Sequence, residues 1–311
     1  MEFKMASKEN IAKLVSIYAG LVFGIFWIPL RALGEAGFSG AWSPVMLNSF
    51  PLTFVCPLLI YRWRVFVPGR LRFHIGGFFA GFSFVLYANS LMYTEVVRST
   101  LLFYLMPIWG FLLARIVVGQ IITPVRWLSM ALGLGGILII FGVDVGLPLP
   151  RNIGDWMALG SGLVCAVASL MMLTDNEDAI NYGLAFFLWG TLGAALMAYV
   201  ASIHGLAPVP NWSTVARMLP WLIPLAILVV IPAGFAAVYG PTQLNPGIVG
   251  LLFMTEISVA TVTAALFAGE PFGIRELLGI ILISLAGLAE PLFDFIHSRN
   301  RGIKNDLHRI H

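Results

Sequence analysis

The chain has 311 residues, of which 59% are hydrophobic and 11% charged, with a mean hydropathy of +0.91 and a net charge of +3. Soluble domains carry about 25% charged residues, so this composition excludes a soluble globular protein. The long apolar runs predict membrane-spanning helices, because a transmembrane barrel would show short alternating segments instead. The two cysteines, Cys56 and Cys165, lie inside apolar runs and predict neither a disulfide framework nor a metal site.

Ten apolar stretches, each close to the length of about 20 residues that crosses a bilayer, follow one another along the chain. These predicted spans, numbered 1 to 10 in chain order, cover residues 11–30, 43–61, 74–93, 96–118, 125–143, 155–173, 182–203, 218–239, 247–268 and 274–295. A polar, proline-bearing connection at 144–154 separates the first five from the last five. We expect Met5 to be the natural start after a cloning remnant, with a cytoplasmic segment up to residue 10. We also expect a frayed cytoplasmic tail at 296–311.

Basic residues favour one orientation. If the N-terminus is cytoplasmic, 13 of the 18 lysines and arginines fall in cytoplasmic segments, which satisfies the positive-inside rule and puts both termini in the cytoplasm. Because five is odd, the second half enters the membrane in the opposite sense to the first. The predicted fold class is an all-α polytopic membrane protein whose ten transmembrane helices form two inverted five-helix repeats, 11–143 and 155–295.

Short sequence matches in the same order support the repeat. They are Ala80-Gly81-Phe82 with Ala233-Gly234-Phe235, Leu101-Leu102-Phe103 with Leu251-Leu252-Phe253, and Gly119-Gln120 with Gly269-Glu270.

Two long segments resemble the repeats of the drug/metabolite transporter superfamily, in its ten-helix EamA-type branch. They are YANSLMYTEVVRSTLLFYLMPIWGFLLARIVVGQIITPVRWLSMALGLGGILIIFG in the first half and LLFMTEISVATVTAALFAGEPFGIRELLGIILISLAG in the second. The resemblance covers nearly the whole chain, and it is closest to the bacterial aromatic amino-acid exporters. Two positions depart from the family: Gln120 replaces the usual Glu of the first repeat, and Ile257 follows Glu256 where many members have proline.

The resemblance implies a monomeric exporter in the bacterial inner membrane that needs no cofactor and binds no nucleic acid. Its partners would be the lipid bilayer and a small-molecule substrate, an amino acid or similar metabolite, moved by alternating access. An exporter of drugs or other small metabolites is the alternative within the family, and a channel or structural membrane protein is the alternative outside it. An enzyme is disfavoured, because the sequence has no HExxH motif, no paired intramembrane aspartates and no spaced Ser/His/Asp set.

Polar and aromatic residues at helical spacing predict a cavity between spans 1, 3, 4, 6, 8 and 9. The candidate substrate-binding residues are Trp27, Asn48, Ser83, Tyr87, Ser90, Tyr104, Tyr239, Met254 and Ser258. Ordinary helix packing is the alternative for each of them. Aromatic and methionine side chains suit a substrate with an aromatic or thioether group. No cluster of buried basic residues is visible, which argues against phosphorylated substrates.

Glu256 is the charged residue within span 9. A carboxylate near the membrane centre costs roughly 2.5–3.5 kcal/mol, so intramembrane acids are usually functional. We predict a gating or proton-linked role for Glu256, nearer the cytoplasmic mouth than the midplane, with Pro29 and Pro107 as hinges. The alternative is a protonated side chain that bonds a neighbouring helix. Arg98, near the start of span 4, is expected to extend toward the headgroups.

Overall fold

The computed structural model describes residues 2–38, 40–66, 71–94, 96–141, 150–267, 269 and 272–307. Every regular element in these ranges is a helix, which confirms the all-α fold class. Most of the predicted central connection, residues 144–149, lies outside the described residues, and so does Glu270 of the internal match.

The helices follow one another with short joints. They are α1 Glu2–Phe23, α2 Trp27–Glu35, α3 Trp42–Tyr61, α4 Trp63–Phe66, α5 Leu71–Tyr93, α6 Val96–Phe103, α7 Met106–Val118, α8 Pro124–Phe141, α9 Ile153–Leu173, α10 Ala179–Ile203, α11 Trp212–Leu225, α12 Ile231–Tyr239, α13 Pro246–Phe253, α14 Thr255–Phe267 and α15 Ile274–Leu307. A π-helical turn, Ala226–Val230, joins α11 to α12, and a 3₁₀ turn, Gly240–Thr242, follows α12.

Among the described residues, eight helical stretches are long and apolar enough to cross a membrane. They are Lys8–Glu35, Trp42–Tyr61, Leu71–Tyr93, Arg98–Val118, Ile153–Leu173, Ala179–Ile203, Trp212–Thr242 and Pro246–Phe267. The shorter apolar helix Pro124–Ile140 corresponds to predicted span 5, and α15 contains predicted span 10. Each predicted span therefore has a helix, and we keep the span numbers below.

Spans 4 and 9 are interrupted at equivalent positions. α6 ends at Phe103 and α13 ends at Phe253, so each break follows one copy of the Leu-Leu-Phe match. The glycine that ends each interrupted span has a left-handed backbone, with φ of 72° at Gly119 and 69° at Gly269. Glycine adopts this conformation at little cost because it has no Cβ. The internal match thus marks repeated backbone features.

The contacts between helices show the same internal symmetry, in which span 1 is equivalent to span 6, span 3 to span 8 and span 4 to span 9. Spans 3 and 4 both pack on span 6, and their equivalents, spans 8 and 9, both pack on span 1. Spans 2 and 7, 4 and 9, and 5 and 10 pack on each other in pairs. A two-fold axis between two five-helix halves produces this pattern. Since an odd number of crossings separates equivalent helices, the axis lies in the membrane plane and the repeats are inverted.

Glycines allow backbones to touch where spans of the two halves cross. A Cβ on Gly81 of span 3 would lie 2.5 Å from the backbone nitrogen of Gly190 in span 7. A Cβ on Gly110 of span 4 would lie 2.5 Å from the backbone nitrogen of Gly247 in span 9. These distances leave no room for a side chain, as is common where small residues bring membrane helices together.

Prolines accompany the irregular segments. Pro29 lies near the start of α2 and Pro107 near the start of α7, directly after breaks in spans 1 and 4. The first helical turn tolerates proline because its backbone N–H groups have no intrahelical partner there. In span 8, Pro224 precedes the π-helical turn and Pro232 follows it. Hinge motion at Pro29 and Pro107 stays a prediction.

Charged side chains link the two halves at both ends of the bundle. Arg98, 6% exposed, donates to Oδ2 of fully buried Asp155 at 2.6 Å and so joins spans 4 and 6. At the other end, Arg62, directly after span 2, donates to Asp178 at 2.9 Å and to Asn181 at 2.8 Å. The expectation that Arg98 extends to the headgroups is therefore wrong. The carboxylate of Asp155, at the start of span 6, gives the Arg98 guanidinium a buried partner instead.

Candidate functional site

A cavity of about 860 Å³ lies between the two halves. Its walls come from spans 1, 3, 4, 6, 8 and 9, with a few residues from spans 5, 7 and 10. Exposed Arg31 and Arg275 lie at its mouth, which we call the Arg31 end. Toward the opposite end, the Arg62 end, the lining residues are buried, among them Met172 and Val238. The cavity is thus open at one end and closed at the other.

Aromatic rings form much of the wall. The aromatic lining residues in the described part of the chain are Phe23, Phe26, Trp27, Phe84, Tyr87, Phe103, Phe186 and Phe253. Several of them pack on one another: Phe26 and Phe84 have ring centroids 5.6 Å apart, and Tyr87 and Phe103 have centroids 4.5 Å apart. Such contacts hold the rings in place and present flat apolar surfaces to a ligand.

Glu256 is held in the interior of the cavity by tyrosines from the other half of the chain. Its Oε2 accepts a hydrogen bond from Tyr104 Oη at 2.6 Å, and its Oε1 accepts one from Tyr87 Oη at 3.4 Å. Tyr87 Oη also lies 3.3 Å from Thr100 Oγ1. Neutral hydroxyls solvate a carboxylate but leave its negative charge uncompensated.

The two helix breaks create this arrangement. Tyr104 lies in the break of span 4, and Glu256 is the second residue of α14, just after the break of span 9. Tyr104 Oη also lies 3.0 Å from the carbonyl oxygen of Phe253. One hydroxyl proton thus faces two acceptors. If Glu256 carries a proton, its carboxyl group can donate to Tyr104, and Tyr104 can then donate to Phe253; if Glu256 is ionised, Tyr104 serves one acceptor at a time.

Four of the predicted site residues line the cavity: Trp27, Ser83, Tyr87 and Glu256. Trp27 Nε1 donates to Thr263 Oγ1 at 3.1 Å, which ties span 1 to span 9 near the mouth. Ser83 Oγ donates to the carbonyl oxygen of Ser161 at 3.1 Å. Their roles in binding, like the gating or proton-linked role of Glu256, stay predictions.

The remaining predicted residues lie outside this lining. They are Asn48, Ser90, Tyr104, Tyr239, Met254, Ser258, Pro29 and Pro107. Asn48 donates to the carbonyl oxygen of Pro44 at 2.9 Å, and Ser90 to that of Tyr87 at 2.6 Å. Both bonds lie within one helix and satisfy the side chain locally, without any contact with the cavity.

The other members of this group have different surroundings. Tyr104 is fully buried behind Glu256, which it contacts directly. Tyr239 lines a separate crevice between spans 1, 7 and 8. Met254 is fully buried, and Ser258 Oγ has no hydrogen-bond partner within the described part of the chain.

Sequence reasoning missed all of the phenylalanines in the wall. Phe23, Phe84, Phe103 and Phe253 are chemically indistinguishable from lipid-facing residues in a chain with 23 phenylalanines. Two of them could have been found, because Phe103 and Phe253 end the two copies of the Leu-Leu-Phe match.

The charges at the mouth are balanced. Arg31 pairs with Glu35 at 3.2 Å on one turn of α2. Arg275 donates to the carbonyl oxygen of Ile139 at 2.7 Å, and the neighbouring Glu276 accepts from the backbone nitrogen of Gly273 at 2.7 Å. The mouth therefore carries both signs of charge.

Part of the chain matches a known protein family. Residues 10–142 match the EamA-like transporter family. The matched segment coincides with the first of the two predicted repeats. This confirms the resemblance to the drug/metabolite transporter superfamily, whereas the closer likeness to aromatic amino-acid exporters stays a prediction.

Two further similarities extend over the second half. The chloramphenicol-sensitive protein RarD of Pseudomonas aeruginosa is 26% identical over 252 residues, which cover 81% of this chain and 71% of RarD. A crystal structure of another protein superposes with a TM-score of 0.66 over 91% of this chain and 97% of that one, at 18% identity. The second similarity concerns the fold alone. The EamA match and the similarity to RarD support a multi-pass membrane transporter of small molecules.

Proposed function

We propose that the protein is a secondary transporter that exports small amphipathic metabolites across the bacterial inner membrane, with aromatic amino acids as the first candidates. The observation that carries the proposal is a cavity lined from both inverted halves, open at the Arg31 end and closed at the Arg62 end. Alternating access requires a cavity of this kind near the interface of two repeats. With both termini in the cytoplasm, this is an outward-open state.

The size and walls of the cavity support a small aromatic substrate. Its volume of about 860 Å³ lies within the range of roughly 300–1,000 Å³ typical of small-molecule sites. Phe84, Tyr87 and Phe103 offer ring faces for stacking, and Thr100 and Ser83 offer hydroxyl groups for polar contacts. Trp27 stands between this region and the mouth.

Glu256 is the group through which we expect transport to be gated or linked to protons. Its contact with Tyr104 joins the broken segments of spans 4 and 9. Protonation of Glu256 changes whether the Tyr104 hydroxyl donates to Glu256 or to the carbonyl oxygen of Phe253. It therefore changes the hydrogen bonds that connect the two breaks. Pro29 and Pro107, each next to a break, are the proposed hinges.

Counterflow in proteoliposomes tests the transport proposal. Vesicles loaded with an excess of unlabelled phenylalanine should accumulate labelled phenylalanine transiently, because an alternating-access carrier exchanges one molecule for another. A channel gives no such stimulation, and an enzyme alters the compound. Repeating the assay with and without a pH gradient separates uniport from proton exchange.

Two substitutions test the site itself. Glu256→Gln should abolish transport or remove its pH dependence; unchanged rates with an unchanged pH profile would contradict the role of the carboxylate. Tyr87→Ala should weaken transport of aromatic solutes more than of small ones, because it removes a ring that packs on Phe103. Equal losses for both kinds of solute would indicate general misfolding.

Drug export is the second candidate, and the similarity to RarD, named as chloramphenicol-sensitive, favours it. Chloramphenicol is therefore included as a competitor in the counterflow assay. Inhibition that Tyr87→Ala relieves would place the drug in this cavity; inhibition that persists unchanged would indicate another site.

A further inference from the structure

The interior of the cavity contains charge of one sign. Among the described residues that line it, the ionisable groups with formal charge at neutral pH are Arg31, Glu35, Glu256, Arg275 and Glu276. Four of these stand at the mouth, with as many positive as negative groups. Glu256 alone lies in the interior, where its contacts are the neutral hydroxyls of Tyr87 and Tyr104.

The basic residues of the mouth are far from Glu256. Gly24 of span 1 already lies nearer the mouth than Glu256. A Cβ on Gly24 would lie 2.7 Å from the carbonyl oxygen of Glu256 and 2.6 Å from Cβ of Val259, and the carbonyl oxygen of Gly24 lies 3.5 Å from Thr263 Oγ1. Trp27 is level with Thr263, seven residues beyond Glu256 in α14. At about 1.5 Å of rise per helical residue, this is roughly 10 Å nearer the mouth. Arg31 comes one further helical turn out along α2.

Arg98, a further arginine in the wall helices, is paired with another carboxylate. Arg98 of span 4 is buried against Asp155 at 2.6 Å and is not among the residues that line the cavity. The cavity interior thus offers an anion to the positive part of a solute, and the arginines that could bind a carboxylate lie at the mouth.

We propose that this cavity selects organic cations with an aromatic or apolar body over the corresponding zwitterionic amino acids. An α-amino acid bears its ammonium and carboxylate groups on the same carbon. When its ammonium group contacts Glu256, its carboxylate must therefore lie beside Glu256 and cannot reach the arginines at the mouth. Like charges this close repel strongly in a medium of low dielectric constant. A cation without a carboxylate avoids this repulsion.

The walls suit such a cation. Tyr87 contacts Glu256 directly and packs on Phe103, and Phe253 ends α13 at the break of span 9. Aromatic faces attract ammonium groups, most strongly where water is excluded. The proposal rests on the proposed transport function and, within its class of small amphipathic metabolites, favours aromatic amines and quaternary ammonium compounds over aromatic amino acids.

A set of solutes that share one ring and differ in charge tests the proposal. It contains phenethyltrimethylammonium, a permanent cation, together with phenylalanine and the anion 3-phenylpropionate. Binding is measured by calorimetry on purified protein in detergent, and transport by counterflow in proteoliposomes. We expect the permanent cation to bind about tenfold more tightly than phenylalanine, a difference of one decade in dissociation constant, and the anion to bind least.

Glu256→Gln should reduce this preference to less than about threefold, because the amide keeps the shape but carries no charge. Glu35→Gln, which removes a carboxylate of the mouth, is the matched control and should leave the preference unchanged. If phenylalanine binds as tightly as the cation, or if Glu256→Gln keeps the full preference, the proposal is overturned. Glu256-dependent binding of the cation without counterflow of any solute would support the proposal and contradict the transport function.

Discussion

The hydroxyl oxygen of Tyr104 lies 2.6 Å from Oε2 of Glu256, although 152 residues separate them in the chain. Each residue stands at the break of its own repeat helix, Tyr104 in span 4 and Glu256 in span 9. Their bond therefore connects the two inverted halves at the irregular backbone segments. In transporters, discontinuous helices of this kind typically form the central site.

Tyr104→Phe should impair transport without unfolding the protein. The change removes one hydroxyl and leaves Glu256 and the carbonyl of Phe253 without this donor. Hydrogen bonds to charged groups contribute about 1.5–3 kcal/mol, so the transport rate should fall roughly ten- to hundredfold. Initial rates of counterflow measure the loss.

Tyr61→Phe provides the control for this substitution. Tyr61 is 84% exposed at the end of α3, far from the cavity lining. Its variant should transport at the wild-type rate. A Tyr104→Phe variant that is equally active would show that the contact with Glu256 has no part in transport.

Gly110→Ala should destabilise the crossing of spans 4 and 9. The added Cβ would lie 2.5 Å from the backbone nitrogen of Gly247, so the helices must separate. Overpacking of this kind typically costs about 1–3 kcal/mol. The Tm of the purified protein in detergent should therefore fall by several degrees.

Gly135→Ala is the matched control, because a Cβ at Gly135 of α8 meets nothing within 4 Å. Alanine also has a helix propensity higher than that of glycine by up to about 1 kcal/mol. The control should keep its Tm or gain slightly. If the two variants have the same Tm, close backbone packing at Gly110 does not limit stability.

Arg62→Asp should loosen the closed end of the bundle. The substitution breaks the 2.9 Å ion pair with Asp178 and puts two carboxylates together. Both side chains are partly exposed, so the pair contributes only about 0.2–1 kcal/mol. The double reversal Arg62→Asp with Asp178→Arg should have a higher Tm at low salt than Asp178→Arg alone, but not the wild-type Tm, because Asp178 also caps α10 by accepting from the backbone nitrogen of Ile180.

High salt should reduce all of these differences, since it screens exposed charges. Arg64→Asp changes the same charge two positions away and serves as the control. A double reversal no more stable than Asp178→Arg alone would show that the Arg62–Asp178 pair does not hold this end closed.

A cysteine at position 264 should show from which side of the membrane the mouth of the cavity is accessible. Ala264 lines the cavity in the outer part of α14, whereas Ala198 of α10 is fully buried. In a background with Cys56→Ala and Cys165→Ala, a membrane-impermeant maleimide added to intact cells should label Ala264→Cys and spare Ala198→Cys. Substrate should protect the label site. Labelling only after the cells are opened would reverse the proposed orientation.

The sequence predicted the ten helices because each apolar run must satisfy its backbone internally and match the membrane thickness. It also gave the repeat, since Leu-Leu-Phe and Gly-Gln/Gly-Glu stand at equivalent places in both halves. Pro107 indicated the interruption of span 4, because proline cannot donate to the carbonyl four residues earlier. Nothing comparable in the sequence showed that span 9 breaks at Met254, where the structure places the carbonyl of Phe253 against Tyr104 of the other half.

Hydropathy by itself determined that this protein is a bundle of membrane helices in two halves, because the length and polarity of each segment decide whether it lies in lipid. Only the tertiary structure decided which side chains face the cavity. A phenylalanine at the wall and one facing lipid have the same composition and periodicity, and the difference arises when helices far apart in sequence pack together. For the same reason, Glu256 was recognisable as an intramembrane acid, but its partners Tyr87 and Tyr104 emerged only from the folded arrangement.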